Sequence, residues 1–159
     1  MNLHRMTRIA LLTALSLILF VLEGFLPLPV PGAKLGLAAI VTLIALHLLP
    51  TRDAALMLTL RIFLASALGG GLAPMLYSLA GGAASFAAMV LLKKYTQLSI
   101  VGISAAGGFL HNMAQLLVAA AVMQTIALFF YAPVLGFVGI LTGIGIGIAA
   151  QTILQKILR

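Results

Sequence analysis

The stretch SIVGISAAGGFLHNMAQLLVAAAV, residues 99–122, contains no Lys, Arg, Asp or Glu. At ~1.5 Å per residue, a helix of roughly 20 apolar residues crosses the hydrocarbon core of a bilayer. The stretch nevertheless carries His111, Asn112 and Gln115, and such side chains cost free energy in lipid unless a partner meets them. Ser104, Gly108, His111 and Gln115 follow each other at steps of four, three and four. We therefore predict a membrane-spanning helix with a polar stripe that faces the protein interior.

The same apolar character extends along the whole chain. Of 159 residues, 64% are hydrophobic and 7% charged, with a mean hydropathy of +1.27, which indicates an integral membrane protein. The net charge of +7 comes from cations dispersed at the ends of apolar segments, with Lys93 and Lys94 the only adjacent pair. That pattern is typical of membrane topology and argues against nucleic-acid binding.

Breaks at Pro, Gly and charge clusters divide the chain into about six spanning segments. We expect them to form one membrane domain, residues 1–159, whose fold class is an all-α bundle of about six transmembrane helices. The second and third segments are short, so one of them is expected to be tilted, broken or partly spanning, and five helices are the alternative. The predicted helices run over 8–26, 35–49, 53–69, 74–92, 99–122 and 133–155.

The cations predict the orientation, because loops rich in Lys and Arg stay cytoplasmic. In a six-helix arrangement, the opposite connections contain a single cation, Lys34. Both termini should therefore be cytoplasmic, in a multi-pass protein of a prokaryotic cytoplasmic membrane. The cations assigned to the cytoplasmic side are Arg5, Arg8, Arg52, Lys93, Lys94, Lys156 and Arg159.

Few polar groups remain within the apolar zone, and they suggest a binding cavity open to the outer side. Arg61 follows Asp53 by eight residues, which places it roughly 12 Å into the third helix. Two cations and one carboxylate would leave the cavity positive, which suits a carboxylate, a phosphate or electron-rich carbonyl groups. The alternative is that these side chains satisfy one another, with Arg61 and Glu23 as a structural bridge. The candidate substrate-binding residues are Glu23, Lys34, Arg61, Tyr77, His111, Asn112 and Gln115.

The sequence argues against catalysis by this chain. Asp53 and Glu23 are the only acids and fall on opposite sides of the membrane, so no carboxylate pair or Mg²⁺ site for a diphosphate can form. The three histidines are too scattered in depth for a zinc site, and there is no cysteine. We expect no metal and no cofactor. No nucleotide-binding loop is present, so any energy for transport must come from a separate ATPase.

Small residues at four-residue spacing allow helix backbones to approach closely. Gly139, Gly143 and Gly147 form such a stripe on the last helix, and we interpret it as internal packing. Ala10 and Ala14 form another near the cytoplasmic end of the first helix. This pair is the candidate contact for a partner membrane subunit.

Three stretches resemble the Gx transporter family, many members of which are labelled heptaprenyl diphosphate synthase component I. They are LEGFLPLPVPGAKLGLAAIVTL (22–43), LYSLAGGAASFAAMVLLKK (76–94) and SAAGGFLHNMAQLLVA (104–119). The resemblance covers nearly the whole chain. Ala39 departs from the family pattern, which has Asn at that position, so a polar contact from this site is lost or replaced.

The resemblance implies similarity to the S components of energy-coupling factor (ECF) transporters. S components are small, usually six-helix proteins that capture vitamins or related micronutrients from outside. They work with a transmembrane coupling subunit and two cytoplasmic ATPases, and they often use small residues of the first helix to contact the coupling subunit. This would give Ala10 and Ala14 their role.

These observations predict a substrate-binding subunit, not an enzyme, for a small, partly apolar, anionic nutrient or isoprenoid-related molecule. Arg61 and Lys34 would hold the anionic end, while His111, Asn112 and Gln115 orient polar groups. Glu23 would accept a donor from the ligand or fix Arg61, and Tyr77 would stack or cap. The alternatives are a noncatalytic membrane subunit of a polyprenyl diphosphate synthase and a purely structural scaffold.

Overall fold

The protein is all-α in the part that the computed structural model describes, residues 3–25 and 36–158. A π-helical turn, Ser66–Gly70, extends α3, and a 3-10 helix, Ile126–Tyr131, precedes α6. The predicted fold class is confirmed to this extent, with six α-helices and no strand among the described residues. The helices are α1 Leu3–Gly24, α2 Leu37–Leu48, α3 Thr51–Ala65, α4 Leu72–Tyr95, α5 Ile100–Met123 and α6 Ala132–Ile157.

Four of these helices, α1, α4, α5 and α6, are long and apolar enough to cross a membrane. This indicates a multi-pass membrane protein. The second and third helices are short, as the sequence predicts: α2 has 12 residues and α3 has 15. At ~1.5 Å per residue, α2 measures about 18 Å, little more than half of a hydrocarbon core.

Helix α2 joins the two halves of the bundle, because both buried clusters include its side chains. Leu43 and Leu46 pack with Met89 of α4, Ile103 of α5 and Leu154 of α6. On another face of α2, a second cluster connects it to α1 and α3. Its members are Val41 and Ala45 of α2, Ile9 of α1, and Ala54 and Met57 of α3.

The backbones of α5 and α6 approach each other closely along a stripe of glycines. A Cβ atom added at Gly139 would lie 2.5 Å from the main-chain oxygen of Gly108. One at Gly143 would lie 2.5 Å from the oxygen of Ser104, and one at Gly147 would lie 2.6 Å from the Cα of Val101. The glycine stripe therefore serves internal packing, as predicted, and only residues without a side chain fit along this seam.

The start of α1 and the end of α6 lie at the same end of the bundle. Ile9, near the start of α1, packs on Ala45, while Leu154, near the end of α6, packs in the cluster that contains Leu46. Two contacts reinforce this end. Arg5 forms a two-fold hydrogen-bonded ion pair with Asp53 at the start of α3, and Lys93 Nζ donates to the main-chain oxygen of Leu46 at 2.6 Å. We call it the cationic end, and its cytoplasmic location stays a prediction.

Helix α2 fills only the half of the bundle that is nearer the cationic end. Its N-cap, Gly36, has φ +79°, and a Cβ there would lie 2.9 Å from Cδ1 of Ile146. Ile146 precedes the last residue of α6 by eleven residues, or about 16 Å of helix. Helix α2 therefore begins near half depth.

Candidate functional site

Glu23 lies near the end of α1 and is 5% exposed. Its Oε1 accepts a hydrogen bond from the main-chain N–H of Gly36. The first N–H groups of a helix lack partners within the helix and carry partial positive charge, so a carboxylate is stabilised there. Glu23 thus attaches the end of α1 to the start of α2.

Arg61 lies on α3 and is partly exposed overall, but its Nε atom is buried. Among the described residues, Nε has no hydrogen-bond partner. Arg61 and Glu23 do not approach within the 4.0 Å of a direct ion pair, which Arg5 and Asp53 do. The structural bridge considered from the sequence is therefore not formed as a direct ion pair, and Nε of Arg61 is left without a partner among the described residues.

His111 and Gln115 face α4. A Cβ added at Gly81 would lie 2.8 Å from Cε1 of His111 and 2.9 Å from Cγ of Gln115. The absence of a side chain at Gly81 therefore makes room for both residues. The two polar side chains lie against a neighbouring helix, so the free-energy cost of placing them within hydrocarbon is reduced.

The next residue, Gly82, brings α3 to the same turn of α4. A Cβ there would lie 3.0 Å from Cδ1 of Ile62, the residue that follows Arg61. Helices α3 and α5 therefore flank α4 at the Gly81–Gly82 pair. The turn of α3 that carries Arg61 and the turn of α5 that carries His111 lie at similar depth.

Asn112 contacts a different helix from its neighbours on the stripe. Its Nδ2 donates to the main-chain oxygen of Leu135 in α6 at 2.8 Å. The polar residues of α5 are thus divided: His111 and Gln115 face α4, and Asn112 joins α5 to α6. The carbonyl oxygen of Asn112 is the part of this side chain left for a ligand donor.

The remaining predicted residues have simpler positions. Tyr77 is half-buried on α4, one turn before Gly81. Lys34 lies outside the described residues. Ala10 and Ala14 are exposed on α1.

The geometry suits recognition of a ligand. Within the described residues, no three His, Cys, Asp or Glu side chains lie together as a metal site would require. The polar groups within the bundle are a guanidinium, a carboxylate, an imidazole and amides, all of which form hydrogen bonds. Such an arrangement can bind a partly polar molecule and orient it.

Sequence reasoning missed three backbone partners of this site. Gly36 supplies the N–H that Glu23 binds, Gly81 makes room for His111 and Gln115, and Leu135 supplies the oxygen that Asn112 binds. A glycine immediately before an apolar helix is a weak signal for the first. No signal in the sequence distinguishes the oxygen of Leu135 from those of its neighbours.

Comparison with known proteins places this arrangement in a family. Neither the curated proteins nor the solved structures include a match to the sequence. Residues 12–153 match a family described as heptaprenyl diphosphate synthase component I. The match extends from α1 to near the end of α6 and includes every candidate substrate-binding residue. The chain therefore belongs to the heptaprenyl diphosphate synthase component I family.

Proposed function

We propose that the protein is the substrate-binding subunit, of S-component type, of an ECF-type uptake transporter. Its ligand is a small, partly apolar, anionic nutrient or isoprenoid-related molecule, which enters from the side opposite the cationic end. The chain has no catalytic activity of its own in this proposal. It resides in a prokaryotic cytoplasmic membrane with both termini cytoplasmic.

One observation carries the proposal: among the residues that the structure describes, the buried Nε of Arg61 has no hydrogen-bond partner. Leaving a buried donor unpaired costs about 1–3 kcal/mol, and more for a charged group. Charged groups inside a membrane protein usually face a cavity or a ligand pathway. A ligand oxygen that accepts a hydrogen bond from Arg61 would remove this cost. An arginine with a purely structural role would have all of its donors in use and would not bind such an oxygen.

The shortness of α2 supports a site at this depth. The helix starts near half depth at Gly36, so it does not fill the outer half of the bundle. Arg61 and Lys34 would hold the anionic end of the ligand. His111, Gln115 and the carbonyl oxygen of Asn112 would orient its polar groups, and Tyr77 would cap it.

The transport partners are a transmembrane coupling subunit and cytoplasmic ATPases. Ala10 and Ala14 are exposed on α1, which packs mainly against α2 and α3. Small exposed residues at four-residue spacing allow a second helix to approach closely. The coupling subunit would bind this face within the lipid bilayer.

A second function has one specific observation in its favour. The family description names a component of heptaprenyl diphosphate synthase. In this alternative, the chain is a noncatalytic membrane subunit that binds a soluble prenyl transferase. The two acids of the chain, Asp53 and Glu23, are near opposite ends of α1 in the structure, so they cannot together hold a Mg²⁺–diphosphate.

Native mass spectrometry of the gently extracted full chain separates these functions. A transport subunit retains one small molecule and co-purifies with membrane and ATPase subunits, and Arg61→Gln or Gln115→Ala removes the small molecule. Arg52→Gln, an exposed arginine on the same helix, is the matched control and should retain it. A synthase subunit co-purifies with a soluble prenyl transferase and changes its product chain length. Loss of stability in both variants, with no bound molecule in the wild type, would indicate a scaffold.

A further inference from the structure

Gly81 of α4 lies where this helix contacts the polar face of α5. It is buried, and the three heavy atoms nearest to a Cβ added there all belong to His111 and Gln115. They are Cε1 of His111 at 2.8 Å, Nδ1 of His111 at 2.9 Å and Cγ of Gln115 at 2.9 Å. The space that a side chain at position 81 would need is therefore already filled by two candidate binding residues.

The two side chains have little freedom to move away from such a Cβ. Carbon atoms in contact lie about 3.5 Å apart, so the imidazole, at 2.8 Å, would have to retreat by about 0.7 Å. In a helix, contact with the preceding turn leaves two common values of χ1. The position of Cγ in Gln115 depends on χ1, so this atom retreats only if the whole side chain changes rotamer or α5 moves. An alanine at position 81 would therefore displace both polar groups.

Gly107 provides a comparison at another point between the same two helices. A Cβ added at Gly107 would lie 2.9 Å from Cγ of Met89 and 3.1 Å from Oγ of Ser85, both on α4. An alanine there would crowd α4 and α5 to a similar degree, but against side chains that are not candidates for ligand binding. The two glycines therefore separate an effect on helix packing from an effect on the polar groups.

We propose that Gly81 is a positioning residue of the binding site, and that its lack of a side chain sets where the imidazole of His111 and the amide of Gln115 meet the ligand. Binding groups have to be held within about 0.5 Å of the productive geometry, and the displacement expected from an alanine exceeds this. Gly81 has no polar side chain to offer the ligand, so it acts through the two α5 residues. The inference rests on the proposed function for the existence of the ligand.

The test compares Gly81→Ala with Gly107→Ala in the purified full chain. Native mass spectrometry measures the fraction of each protein that carries the small molecule retained by the wild type, and the melting temperature measures folding. Gly81→Ala should lower this fraction at least about tenfold, because small misplacements of binding groups are costly. Gly107→Ala should retain the molecule as the wild type does, even where its melting temperature falls. Full retention by Gly81→Ala, or an equal loss in both variants, would overturn the inference.

A second measurement needs no ligand. NMR of the chain with ¹³C-labelled histidine gives a signal for each ring Cε1–H, and Cε1 of His111 is the atom nearest to the added Cβ. Gly81→Ala should shift the signal of His111 and leave those of His4 and His47 in place. Gly107→Ala should leave all three unchanged. An unshifted His111 signal in Gly81→Ala would contradict the positioning role.

A variant that does not fold has its own decisive comparison. Combining Gly81→Ala with Gln115→Ala removes the Cγ that the new Cβ would meet, so the double variant should fold. Its His111 signal should differ from that of Gln115→Ala alone. Identical signals, or a double variant that is still unfolded, would show that Gly81 serves helix packing alone.

The proposed function and this inference fail in distinguishable ways. A wild type that retains no small molecule refutes the transport function, and the His111 signal still decides whether Gly81 positions the imidazole. A retained molecule, with retention and the His111 signal both unchanged in Gly81→Ala, refutes only the inference.

Discussion

Asn112 of α5 donates a hydrogen bond to the main-chain oxygen of Leu135 in α6 across 2.8 Å. This contact lies at the end of the glycine seam that is farther from the cationic end. A Cβ added at Gly139 would lie 2.9 Å from Nδ2 of Asn112. A polar residue within an apolar helix is thereby satisfied by a neighbouring backbone.

Replacing Asn112 with Leu should destabilise the protein by about 1 kcal/mol, because the amide donor is lost and α5–α6 contact weakens at this point. The free energy of unfolding, followed by denaturant titration in mild detergent, measures the effect. Thr152→Val is the control, since Thr152 is exposed and bonds the oxygen of Ile148 in its own helix. Equal stability of the two variants would contradict a structural role for the Asn112 contact.

Two glycines of α6 that lie two residues apart should respond in opposite ways to alanine. A Cβ at Gly143 would lie 2.5 Å from the oxygen of Ser104, whereas one at Gly145 meets nothing within 4 Å. Gly143→Ala should cost at least about 3 kcal/mol or prevent folding, since backbone atoms cannot move aside locally. Gly145→Ala should be neutral or stabilising by up to about 1 kcal/mol. The melting temperatures of the two variants decide, and a stable Gly143→Ala protein would refute the close approach.

Removing Arg5 from its ion pair with Asp53 should destabilise the protein more than removing Asp53 does. Asp53 is 2% exposed, and the side chain of Arg5 is 45% exposed. Arg5→Gln leaves a buried carboxylate without its cation, so it should lower the melting temperature more than Asp53→Asn does. The double variant should lose less than the sum of the two single losses. Arg8→Gln, an exposed arginine on the same helix, is the control, and additive losses would show that the two side chains are not coupled.

Enlarging Ala14 should affect partner binding and not folding. Ala14 is exposed on α1, so Ala14→Trp should change the free energy of unfolding by no more than about 0.5 kcal/mol. It should sharply reduce co-purification with the coupling subunit, because the small surface for helix approach is lost. Leu15→Trp, next to it and already large, should have a weaker effect. Normal assembly of Ala14→Trp would place the partner contact elsewhere.

Much of the fold follows from local features of the chain. Hydropathy over about 20 residues predicts α1, α4, α5 and α6, and the Pro, Gly and charged residues between them predict where each ends. The dispersed cations predict a common end for Arg5, Arg52 and Lys93. These features are readable because each depends on residues that are close in sequence.

The candidate site could be predicted only as a set of residue types. Polar side chains at His111, Asn112 and Gln115 indicate that α5 has an inward face, because all three are unfavourable in lipid. Which atom each one contacts depends on the rotation and crossing of neighbouring helices. For that reason the spacing of these polar residues does not show which of them face α4 and which face α6.

The sequence by itself determined that this chain is a helical membrane protein with its cations placed at helix ends and a few polar groups among apolar residues. The hydrophobicity of a segment and the periodicity of its apolar residues depend on residues that are close together in the chain, so both can be read from the sequence. Only the tertiary structure decided that α2 begins at half depth, that Glu23 binds the N–H of Gly36, and that Nε of Arg61 has no hydrogen-bond partner among the described residues. These relationships join residues from different helices, and they depend on how closely glycine lets each pair of backbones approach.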